Sequence, residues 1–117
     1  MSAFLSRDMT KTPVEAFGPG FFKLEGEVLT GNLALFPSGL RLWSGFADSG
    51  IWRQEDKALE TIFVGMGAEI AYLPKAFAQE ALSLGLRLEP MSTPSALKMY
   101  NLLLSEGRRV CVIAVAL

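Results

Sequence analysis

The chain has 117 residues, half of them hydrophobic, with one cysteine, no histidine and eleven basic against twelve acidic residues. That length suits one compact domain that buries a core without disulfide staples. The charge balance lacks the basic surplus that nucleic-acid binders gather against phosphate, and the missing histidine excludes Ser-His-Asp and Cys-His nucleophile systems along with the commonest zinc and copper ligand.

In chain order, residues 1–14 are expected as a flexible leader and residues 15–117 as a single domain. Gly18-Pro19-Gly20 is a turn signal. Phe21–Leu24 and Glu27–Thr30 flank Glu25-Gly26 as in a tight hairpin, and Asn32–Phe36 is a further strand. Pro37-Ser38-Gly39 turns the chain into Leu40–Trp43, whose alternation predicts a half-buried strand. From Ser44 to Ala58 no period is sustained, and a loop is expected with one helical turn near Gln54–Ala58. Thr61–Val64 is continuously apolar, as in a strand covered on both faces, and stops at Gly65-Met66-Gly67.

Pro74 marks a helix start. Beyond it Lys75, Gln79, Glu80 and Ser83 make a polar stripe, while Phe77, Ala78, Ala81, Leu82 and Leu84 make the apolar side. Gly85 stops that helix, and Leu86–Glu89 reads as a short strand. Ser92 or Thr93 caps the last helix, with Pro94 just inside it. Only Lys98, Asn101 and Ser105 form its polar stripe, so a sheet and a second cover (helix, loop or another subunit) are expected around it. Gly107 ends it, Arg108 and Arg109 suit the negative end of its dipole, and Val110–Ala116 is expected as a central strand. This longest apolar run is far short of the ~20 residues of a spanning helix. With no targeting segment visible and one cysteine set in an apolar run, a cytoplasmic protein is expected.

Few constellations carry chemistry. Asp8, Asp48 and Asp56 are scattered, so no carboxylate cage for a cation forms. Gly65-x-Gly67 after a strand is similar to a dinucleotide turn, but Ile70 stands at its third position and Pro74 starts the helix too late; a strand-exit turn needing positive φ explains it better. Cys111, between Val110 and Val112, reads as a packed thiol. Ser92 and Thr93 with Arg108 and Arg109 do not make one phosphate clamp, because a helix from Pro94 to Ser105 separates them by roughly 18 Å. Glu89 and Glu106 read as surface or ion-paired carboxylates. Asn101, beside Tyr100, is the best single polar candidate, against the plainer reading of an amide tying helix to sheet. Trp43 and Trp52 flank the irregular loop as candidates for a partner surface, with core filling as the plainer role for at least one.

Pro37-x-Gly39 followed by Trp43, Gly65-Met66-Gly67, Glu89-Pro90-Met91-x-Thr93, Ala96, Tyr100-Asn101-x-Leu103 and Glu106-Gly107-Arg108-Arg109-Val110 together resemble one family over roughly residues 15 to 117. It is the small domain-of-unknown-function family that includes mitochondrial complex I (NADH dehydrogenase) assembly factor 3. The resemblance implies an α/β fold: a three-layer single domain with a central mixed five-stranded sheet, one strand antiparallel to the others, helices on one side and an added β-hairpin layer. Two positions depart from the family pattern. Ser92 stands where the family commonly has Asp, and Met99 where it has Thr; serine still caps a helix, which favours a structural role there.

Two functions follow as expectations. The resemblance implies a non-enzymatic interaction protein with a protein partner, such as an assembly intermediate of a membrane complex, or a second copy of itself. The alternative is a small-molecule-binding or enzymatic domain with a pocket near Gly65, Met91, Thr93 and Asn101. The candidate binding residues are Gly65, Gly67, Met91, Ser92, Thr93, Tyr100, Asn101 and Arg109. No catalytic residue, metal, cofactor, nucleic acid or transmembrane segment is assigned.

Overall fold

Turn chemistry sets the front of the molecule. In a computed structural model, which describes residues 12–37, 39–48, 51, 61–69 and 71–117, strands β1 (Ala16–Gly18), β2 (Phe21–Leu24) and β3 (Glu27–Thr30) form an antiparallel sheet in that order. Between β2 and β3 the two turn residues, Glu25 and Gly26, have φ of 49° and 78°. Two consecutive left-handed residues match the right-handed twist of the flanking strands, which is why a two-residue turn suffices.

The main sheet contains β4 (Leu33–Phe36), β5 (Gly39–Leu40), β6 (Thr61–Gly65), β7 (Leu88–Met91) and β8 (Val110–Ala114), in the order β5-β4-β8-β6-β7. β6 runs parallel to both β7 and β8, while β4 is antiparallel to β5 and to β8. β4 alone therefore opposes the others, as the resemblance implied. β8 lies at the centre and all five of its residues are buried. Val110, Val112 and Ala114 face one core and Cys111 and Ile113 the other, the two-residue alternation of a strand covered on both sides.

The helices are α1 (Lys75–Ser83) and α2 (Thr93–Ser105). The resemblance implies both on one side of the sheet; they lie on opposite faces. Ala96, Leu97 and Tyr100 of α2 share a core with Phe22 and Leu24 of the front sheet, while Phe77 and Ala81 of α1 pack with Ile62, Cys111 and Ile113 across the sheet. The strand order explains this. From β6 the chain moves through α1 to β7 on one flank, then through α2 back past β6 to β8 on the other. Crossovers of one hand that travel in opposite directions must place their helices on opposite faces.

Several boundaries differ from the sequence reading. β5 ends at Leu40, and Leu42 is 75% exposed. β7 sits two residues later than expected and holds Pro90, which an edge strand accommodates because no outer neighbour needs its missing N–H. β8 stops at Ala114. Leu82 of α1 and Leu84, which follows its last residue, are expected on the apolar side but are exposed. On α2, Leu102 is half exposed. Trp43 is buried beside Phe46 and Phe77, with ring centroids 5.3 and 5.9 Å away, so it fills the α1-side core. Trp52, the helical turn near Gln54–Ala58 and residues 1–11 of the expected leader lie outside the described residues. Thr12 and Val14 are buried, at 3% and 7% exposure.

Candidate functional site

In open α/β sheets ligands settle at the carboxyl ends of strands, where neighbouring connections leave in opposite directions. Here the neighbours whose connections leave to opposite faces are β6 and β7, and the start of α2 closes over their carboxyl ends. Gly65, Gly67, Met91 and Thr93 do meet there. Val115 N–H donates to Gly65 O at 3.0 Å, Met66 N–H to Met91 O at 2.8 Å and Thr93 N–H to Gly67 O at 2.7 Å. The Thr93 hydroxyl donates to Val115 O and accepts from Gly67 N–H, both at 3.0 Å. Thr93 is fully buried, so these bonds satisfy polar groups that water does not reach.

Packing at this knot is as tight as its bonding. A Cβ on Gly65 would stand 2.8 Å from both Ala114 Cβ and Thr93 Oγ1 and 2.9 Å from Thr93 Cα. The missing side chain, and not a left-handed backbone, is what Gly65 contributes. Gly67, with φ of 108°, fits the expected strand-exit turn. The polar groups that a ligand would need at this position are bonded to one another.

Asn101 and Tyr100 lie about two turns farther along α2 and serve a different segment. Asn101 Nδ2 donates to Val14 O at 2.9 Å, and its Oδ1 accepts from Val14 N–H at 2.8 Å. Tyr100 donates its hydroxyl to Thr12 O at 2.9 Å. The same segment is tied to the β2–β3 turn, through the Thr12 hydroxyl to Glu25 at 3.1 Å and Gly26 N–H to the Glu15 carboxylate at 3.2 Å. Asn101 thus fastens its helix to the chain leading into β1. Burial pushes the Tyr100 phenol well above the ordinary tyrosine range, with Cys111 adding to the effect.

Ser92 caps α2 and accepts from Ser95 N–H at 3.4 Å, with its own hydroxyl donating to Ser95 Oγ at 3.0 Å. Arg109 is exposed beyond the far end of α2, away from Ser92 and Thr93. Glu89 pairs with Arg87 at 3.0 Å on the surface, and Cys111 is buried. Among the described residues no three His, Cys, Asp or Glu side chains gather to hold a metal ion. No helix among them is long and apolar enough to cross a membrane. Sequence reasoning missed Thr12 and Val14, whose bonds to α2 run through backbone atoms and so carry no side-chain signal.

Comparison with known proteins places the chain. It is 45% identical over 98 residues to an uncharacterised protein of Rhodobacter capsulatus, covering 84% of this chain and 79% of that protein. It is 25% identical over 104 residues to NADH dehydrogenase [ubiquinone] 1 alpha subcomplex assembly factor 3 of Danio rerio, covering 83% of this chain but 60% of the fish protein. Its fold superimposes with a TM-score of 0.78 on the crystal structure of a Bartonella henselae protein described as an outer membrane protein, at 25% identity over 90% of this chain and 94% of that one. The model of the family of proteins of unknown function DUF498/DUF598 matches residues 14–115, and the chain belongs to that family.

Proposed function

We propose that the protein is a non-enzymatic binding domain that assists assembly of a membrane-bound respiratory complex, its partner being a protein subunit or an assembly intermediate. One observation carries the non-enzymatic half: at the strand ends where this topology would hold a ligand, Gly65, Gly67, Thr93 and Val115 bond to one another. A small molecule there would have to break buried bonds, each costing about 1–3 kcal/mol if left unmade. The assembly half is supported by likeness to the fish assembly factor, of which this chain spans 60%.

The test is to tag the full chain in its native cell and purify it while NADH dehydrogenase is being assembled. Subunits of that complex should co-purify, and deleting the gene should leave partly assembled complex on native gels. Full assembly and unchanged NADH oxidation in the deletion strain would refute the reading.

A further inference from the structure

We draw no further inference here: the strongest candidate, the apolar cavity of about 710 Å³ that Ala71, Tyr72 and Leu73 of the β6–α1 connection line together with Pro90 of the edge strand β7, carries nothing because nothing in the structure shows what fills or covers it.

Discussion

The two fastenings that α2 makes differ in kind. At its start, Thr93 and Gly65 bring backbone against backbone with no room for a methyl group, and every bond closes on another part of the sheet. Two turns on, Tyr100 and Asn101 reach outward to Thr12 and Val14, beside open grooves. Both sites satisfy their polar groups and both border open space. A cavity of about 710 Å³ lined by Ala71, Tyr72, Leu73 and Pro90 reaches the residue before Met91, and Asn101 lines the two grooves at the second site. What differs is what the bonds close on: the first set joins the ends of β6 and β8 to the start of α2, and the second joins α2 to the chain leading into β1.

Substitutions at the two sites should separate them. Gly65→Ala is expected to have the largest effect, since its new Cβ meets the Thr93 backbone at 2.9 Å, which cannot rotate aside. Overpacking of this sort costs about 1–3 kcal/mol and more where backbone must shift. We expect the upper end, seen as a lower urea midpoint. An unchanged midpoint would show that α2 sits more loosely on β6 than described.

Thr93→Val keeps the shape but leaves Gly67 N–H and Val115 O without the hydroxyl, for an expected loss of about 2–3 kcal/mol. Asn101→Leu removes two bonds from a partly buried position that water can reach, so about 1–2 kcal/mol is expected. A larger cost at Asn101 than at Thr93 in urea titrations would reverse the ranking of the two sites.

The Tyr100 phenol gives a pH-dependent check on the Thr12 side. Its folded-state pKa is raised, so above the ordinary value of 10.0 the unfolded chain loses a proton that the folded chain keeps. The stability it contributes is present below that pH and declines as pH rises beyond it. Thermal melts should therefore fall more steeply above pH 10 in the native protein than in Tyr100→Phe; identical slopes would place the phenol in contact with water.

What the sequence displayed plainly was local. Glu25-Gly26 states its turn because left-handed residues are needed at those two positions, and Val110–Ala114 states its burial on both faces by an unbroken apolar run. Ser92-Thr93-Pro94 announces a helix start in the same way. What it hid was decided by distant contacts. The opposite placement of α1 and α2 follows from strand order, which no local pattern encodes. Gly65 looked like a turn glycine because proximity to Thr93, 28 residues on, leaves no mark at either position. Val14 was invisible as a partner of Asn101 because its backbone is what is recognised.

The smallest effect belongs to Ser92. Its hydroxyl caps α2 through one long bond of 3.4 Å to Ser95 N–H and is exposed to solvent, so water replaces it readily. Ser92→Ala should cost about 1 kcal/mol or somewhat less, the range for an N-cap. Ser92→Asp places a carboxylate at the cap, where its charge faces the positive end of the α2 dipole. A gain of about 0.3–1 kcal/mol is expected, shrinking as salt is added. If Ser92 serves only as a cap, both variants should leave partner capture unchanged. A partner lost on Ser92→Ala with the melting temperature intact would show that the start of α2 carries a contact beyond its cap.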